Sequence, residues 1–470
     1  MTLTTTALQR PIVRAEWIAE PELIFGGAHT DVNPKIGLTM WGPRSHDTAR
    51  HPAGLRVGFV GPADAIATIE RYLQESAEGV DGDDDNQPFA GLSDVYRTSL
   101  VTGQDLTEKI TRHELADLER TTPTRSRFEK LVALIDSKLE LLAQRDHPPA
   151  VVVVGFDDDL YAMCRVVDYR ESRVAYHRDL RRAIKAVAMK HRLPTQLLRD
   201  STTRLVATSR TLDHPAEVAW NLWNGLFFKA GGLPWSPSGL QAGSCYIGIS
   251  FYRPLGESST LVSSVVQAFD DQGDGLVLRG HDFRWDEQAR GRSPHLPADA
   301  ARALIDMVLQ RYVSERKQRP RRVVVHKSSW YEPAELEGFE SALSGVTEFD
   351  LLALRPTSDW RLLRFGSYPP LRGTALSAGD QSMLYTNGWI PELGYDHGHV
   401  PSPLEIADHR GDTSQLELLR EVLVLTKMNW NSAAFCESSP ITLRFSRQVG
   451  EILQEVPRDQ EPRPQYAYYM

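Results

Sequence analysis

Three short stretches carry the side chains whose types and spacing could do chemistry. Residues 323–330 read VVVHKSSW, an apolar run of strand character that turns polar at His326, Lys327 and Ser328. The carboxyl end of such a strand is where α/β proteins tend to build their sites, yet this one offers no carboxylate. The second stretch is HRDLRRAIKAVAMKHRLPTQLL, residues 177–198. A helix through it would put His177, Arg181 and Lys185, spaced i, i+4, i+8, on one face. Three cations so placed repel one another unless an anion sits between them; a solvated basic face is the alternative. Gln196, in a Pro-Thr-Gln turn, could add a hydrogen bond. The third stretch is NLWNGLFFKAGGLPW, residues 221–235, with Lys229 in the last turn of a helix two residues before Gly231-Gly232. A lysine there satisfies helix carbonyls and a glycine pair caps the helix. The same glycines also let a backbone approach a ligand closely.

The elements that must position these residues follow from patterning. LRVGFVG (55–61) predicts a strand and ADAIATIERYLQ (63–74) a helix; residues 126–144 predict an amphipathic helix and VVVVGF (151–156) a buried strand. A long basic helix over about 173–192 and the strand RLVATS (204–209) complete a βαβα rhythm, which implies a parallel, Rossmann-like sheet. Helix 215–229 opens a second unit. CYIGISFYRP (245–254), TLVSSVVQAFD (260–270) and GLVLRG (275–280) are consecutive strands, with a hairpin around DDQGDG. Helix 298–316, the VVVH strand, helix 332–344, strand EFDLLAL (348–354) and helices 414–428 and 444–454 follow. Three antiparallel strands and then alternating α and β is the order of an RNase H-like sheet. The fold class expected is therefore α/β. The first 36 residues read as an extended lead-in, and no internal repeat or low-complexity tract is visible.

At 470 residues, 41% hydrophobic and 24% charged, the chain has globular composition and length for two or three domains. Its longest apolar runs are far too short to span a membrane, and MTLTTTALQRP has no apolar signal core. Cys164, Cys245 and Cys436 lie far apart, which points to a reducing cytoplasm and away from a structural zinc. The net charge of −9 argues against nucleic acid, but residues 161–210 hold 12 Lys and Arg against 4 Asp and Glu, a local balance of +8. That asymmetry favours a polyanion site. No G-x-G-x-x-G, Walker A, nucleophile elbow or HExxH occurs. FDDD (156–159) and DDQGDG read as turns. Asp396, His397, His399, Asp408 and His409 would suit a metal by type alone.

KAGGLPW together with the LPTQ turn resembles the Argonaute family. YTNGWIPELGYDHGHVPSPLEIADHRGD (385–412) followed by LVLTKMNWNSAAF (423–435) resembles its PIWI domain. The opening PELIFGGAHTDVNPKIGLTMWGP (21–43) and the length are similar to short prokaryotic Argonautes, which carry only MID and PIWI domains. The resemblance divides the chain into a lead-in (1–36), a MID domain (37–210) and a PIWI domain (211–470). It implies a MID pocket for the 5′-phosphate of a guide strand. Lys229 matches the pocket lysine and Gln196 the pocket glutamine; Arg181 with Lys185 fits the remaining cation pair best, and His177 with Arg181 is a second pairing. The family often places a metal, here Mg²⁺, beside that phosphate through the C-terminal carboxylate, which makes Met470 a candidate ligand.

The resemblance also accounts for the missing carboxylates. Active PIWI domains hold two Mg²⁺ with a DEDX set. At the matching positions this sequence has Ser250 in IGIS, Ser328 in VVVHKSS and Arg447 in PITLRFSRQV, and the Glu of the set has no evident match. Two serines and an arginine cannot hold two Mg²⁺, so a PIWI domain that does not cut is expected. What the resemblance implies is a guide-binding subunit of a prokaryotic immune system. It would carry a short guide, RNA in the first instance, recognise single-stranded DNA target, and act with an APAZ-domain effector bearing a TIR, Sir2 or nuclease activity against plasmids or phage. The alternatives are a guide-dependent endonuclease using unrecognised carboxylates and a scaffold that has lost nucleic-acid binding; the +8 segment and Lys229 argue against the latter.

Overall fold

A computed structural model of the chain describes residues 12–171, 174–204, 212–256, 261–270, 273, 275–366, 368–391, 393 and 400–470, and only the backbone of 261 and 263–267. Two α/β layers dominate. The first is a wholly parallel sheet in the order Thr195–Arg199, Val151–Phe156, Leu55–Pro62, Leu100–Val101, with Thr107–Ile110 also on Leu55–Pro62. Its central strand VVVVGF is buried at every position, as a strand covered by helices on both faces must be. Helices Ala63–Glu78, Thr124–Ala143 and Leu180–Lys190 pack against this sheet, and the last two also pack on one another.

The second sheet runs, among the described residues, through nine strands: Val13–Trp17, Thr374–Ala378, Gln381–Leu384, Leu404–Gly411, Glu348–Pro356, Arg322–Lys327, Ser244–Tyr252, Leu261–Asp270 and Gly275–Arg284. Ser244–Tyr252, Arg322–Lys327 and Glu348–Pro356 are mutually parallel and the other pairings antiparallel. That is the expected RNase H-like order. Leu261–Asp270 and Gly275–Arg284 pair antiparallel, as the hairpin reading requires. Helix Pro215–Lys229 joins the two layers. Trp220, Trp223, Leu226 and Phe227 on it are buried, and Phe228 stacks on Trp430 at 4.8 Å.

Two expectations need correction. The basic helix starts at Leu180, not near 173, because Val166–Glu171 and Val174–Asp179 pair as an antiparallel hairpin and the Asp179 side chain accepts from Arg182 N, capping the helix. Gln196 lies in a strand, Thr195–Arg199, rather than in a turn. Within the extended lead-in, Val13–Trp17 adds to the second sheet as an edge strand, and Glu20 takes the guanidinium of Arg372 at 2.8 Å and the ammonium of Lys427 at 2.9 Å. The strand expected at 204–209 lies outside the described residues apart from Arg204, as do Asp396, His397 and His399.

Candidate functional site

Lys229 ends the buried helix. Pro215 stands at its first turn, where a missing N–H costs nothing, and the His214 ring accepts from Ala216 N at 3.2 Å. At the far end Gly231 has φ +99°, a left-handed conformation that favours glycine. A Cβ on Gly232 would overlap the Phe227 ring. Turn geometry and packing therefore account for the glycine pair. The same turn aims Lys229 inward, where it is 3% exposed and its Nζ donates to Gln196 Oε1 at 2.6 Å.

Lys185, also 3% exposed, comes to the same place from helix Leu180–Lys190. Its Nζ donates to Thr195 O at 3.1 Å and to the main-chain oxygen of Met470. Arg181, one turn earlier and half-buried, makes no hydrogen bond or ion pair with a described residue. Burial, with Arg181 beside it, lowers the Lys229 ammonium to about 7. Burial and then Arg181 and Lys229 push Lys185 well below the ordinary lysine range. Lys229 thus feels Arg181, and Lys185 feels Arg181 and Lys229, as like charge; among the described residues no Asp or Glu pairs with either lysine, whereas Asp179 and Glu451 act on Arg181. Gly225, one turn before Lys229, keeps this space open: a Cβ there would lie 3.6 Å from Lys229 Nζ and 3.4 Å from Asn431 Oδ1.

His177 is not brought to this cluster. It sits exposed in the hairpin strand and holds Asp168 at 2.7 Å, so the helical face expected to include it does not form and the His177–Arg181 pairing falls away. The +8 balance is also partly offset by ion pairs within the chain. Arg178 pairs with Glu455, Arg182 with Glu451, Lys190 with Asp136, Arg199 with Asp158 and Arg204 with Asp200. The residues present fit a divalent ion poorly. Met470 O and Gln196 Oε1 both accept from ammonium groups, and three cations crowd the place. Among the described residues no group of three His, Cys, Asp or Glu could hold a metal.

A second site gathers the serines. Ser250, Ser328 and Arg447 line one cleft of about 490 Å³, although they come from strand Ser244–Tyr252, the bend just after strand Arg322–Lys327 and helix Ile441–Leu453. Ser250 Oγ donates to Ser446 O at 2.8 Å. Two of the polar residues of VVVHKSSW have structural partners. Burial and nearby Arg322 hold His326 neutral, near 3, with its Nδ1 2.8 Å from Thr442 Oγ1. Lys327 is paired with buried Glu335. Glu287 is the one carboxylate lining the cleft among the described residues, and its Oε1 accepts from Arg253 at 2.6 Å. Arg253, Arg292 and Glu287 were missed in sequence because they lie in or beside connecting segments without periodicity.

No protein-family model and no curated protein matches the chain. Solved structures do. Clostridium butyricum Argonaute bound to a guide DNA and a 19-mer target DNA superposes with TM-score 0.65 and 14% identity, over 95% of this chain and 53% of its own. Aa-Ago with externally bound siRNA gives 0.58 and 14% over 97% and 56%, and Drosophila Piwi 0.61 and 12% over 97% and 56%.

The fold is Argonaute-like.

The chain spans about half the length of these structures. The parallel first sheet and RNase H-like second sheet match the MID–PIWI architecture of the Argonaute neighbours. In this Argonaute-like frame the lysine cluster lies where the two layers meet, since Lys185 belongs to the first and Lys229 to the helix leading into the second. No helix among the described residues is long and apolar enough to cross a membrane.

Proposed function

We propose that this chain holds a short guide strand by its 5′-phosphate at Arg181, Lys185, Lys229 and Gln196 and presents it for pairing with a complementary target. The observation that carries this reading is the pair of buried lysines, which no Asp or Glu among the described residues offsets, beside a half-buried arginine. Buried charge that is only partly offset is costly: Lys185 has Met470 O and Lys229 has only the neutral Gln196 amide, and a phosphate supplies further negative charge through charge-assisted hydrogen bonds. The Argonaute-like fold supports a guided mode, in which base pairing reads sequence and the protein grips backbone.

The finer reading is that the guide is RNA and the target single-stranded DNA. The chain does not cut, because serines and an arginine stand where metal-binding carboxylates would be needed. An APAZ-domain effector with TIR, Sir2 or nuclease activity acts against plasmids or phage when target is recognised, in the cytoplasm. Mg²⁺ at the guide phosphate is retained as a second means of neutralisation. It requires Lys185 to release Met470 O, and chelation by EDTA tests it: lost guide affinity favours the ion and unchanged affinity favours the lysine.

The test is to purify the protein from cells, extract bound nucleic acid and label its 5′ ends with and without phosphatase. Short RNAs that label only after phosphatase treatment are expected. Absence of bound nucleic acid, or guides that label without phosphatase, contradicts the reading.

A further inference from the structure

The cleft of Ser250, Ser328 and Arg447 has lost the residue types that hold metal ions, but it is not neutral. Among the described residues, Arg253, Arg292, Lys327 and Arg447 line it against Glu287 alone. The buried charge of Lys327 is met by Glu335 behind the cleft, and Arg253 shares Glu287. Two guanidinium groups remain for a ligand. Arg292 is exposed and makes no hydrogen bond or ion pair with a described residue. The side chain of Arg447 is 87% exposed and, among the described residues, pairs only with Glu451, at 3.5 Å. The Nε of Arg253 is buried without a hydrogen-bond partner. Ser328 is exposed and unbonded among the described residues, and Ser250, which donates to Ser446 O, keeps its acceptor side.

Forked guanidinium donors beside a hydroxyl suit the oxygens of a phosphate, and a cation would be repelled. We propose that this cleft is a metal-free seat for a backbone phosphodiester of the target strand, with Arg292 and Arg447 as its grip and the Ser328 hydroxyl as a further donor. The proposal rests on the guided reading above. It adds that the cleft contributes target affinity through arginine in place of metal-dependent cutting.

The test uses the full chain loaded with a 5′-phosphorylated RNA guide and a complementary single-stranded DNA, in EDTA and in Mg²⁺. Guide affinity is measured first. In Arg292→Ala/Arg447→Ala, guide affinity should stay as in the unchanged protein. Target affinity should fall at least about tenfold, as expected for lost charge-assisted contacts, and the log–log salt slope should drop by about 1. Ser328→Asp should weaken target binding by adding like charge, and EDTA should change nothing. Unchanged target affinity in both variants, or target binding abolished by EDTA while guide affinity is kept, overturns the proposal. If the unchanged protein binds no guide, the guided reading fails separately. The cleft is then judged on guide-free single-stranded DNA, where loss of binding in the double variant is expected and no loss overturns it.

Discussion

Lys229 Nζ donates to Gln196 Oε1 at 2.6 Å, joining the end of a buried helix to the edge strand of the first sheet. The contact satisfies the ammonium group but leaves its charge uncompensated. Stability and ligand affinity should therefore respond in opposite directions when it is removed.

Lys229→Met keeps the volume and removes the charge. Its expected effect is a loss of about 1.5–3 kcal/mol in affinity for a 5′-phosphorylated strand, the range for charge-assisted hydrogen bonds. Thermal stability should be unchanged or raised, since a desolvated cation has gone. Calorimetric titration and a thermal melt on the same preparation check both; a variant that melts early and binds normally would contradict the assignment. Adding Gln196→Ala should deepen the affinity loss.

Proton linkage gives a second signature. With the Lys229 ammonium lowered to about 7, the free protein is charged there below that pH and neutral above it. A phosphate favours the charged form, so binding above about pH 7 takes up a proton. Affinity should be nearly flat from pH 6 to 7 and then fall by up to about tenfold per pH unit for one proton. In the unfolded chain the lysine returns to its ordinary value, so the unfolded state binds more protons. This group's contribution to free-protein stability therefore rises with pH over the range where affinity falls. Titrations at several pH values in two buffers of different ionisation heat measure the proton uptake, and zero uptake at pH 8 would count against Lys229 as a ligand.

Gly225→Ala separates space from fold. Helix propensity favours alanine by about 0.5–1 kcal/mol, and the new methyl would meet its neighbours at ordinary contact distances. The variant should be at least as stable as the parent, yet it should bind the 5′-phosphate more weakly if the ligand uses the space between Lys229 and Asn431. Equal affinity would place the phosphate elsewhere.

The second sheet has its own buried charge network. Arg322 reaches Asp350 at 2.8 Å and Glu421 at 3.1 Å, and Asp350 also lies 3.0 Å from His409 Nε2. Arg322→Leu strands two buried carboxylates and should cost about 3–5 kcal/mol, read as a lower urea midpoint. His409, a metal candidate by residue type, is engaged here with a carboxylate that also serves Arg322 and Thr413.

Much of this was legible in the residues. VVVVGF could only be a buried strand, and the helix ending at Lys229 declared itself by its apolar length and glycine stop. Ser250 and Ser328 could be placed at strand ends, and the structure brings them into one cleft with Arg447. The hairpin Val166–Asp179 was not legible, because its half-exposed strands carry charged residues at spacings that also fit a helix. That ambiguity carried His177 into the wrong group. Thr374–Ala378 and Gln381–Leu384 are too short to signal themselves and are fixed by sheet pairing. The meeting of Lys185 with Met470 O joins residues 285 positions apart, so local pattern could not supply the partner that competes with a metal there.

The most direct measurement is the affinity of the purified protein for one short RNA carrying either a 5′-phosphate or a 5′-hydroxyl, in EDTA. A cluster built from Arg181, Lys185, Lys229 and Gln196 predicts at least about tenfold tighter binding of the phosphorylated strand, a preference that Lys229→Met removes. Equal affinity for the two strands would contradict the account.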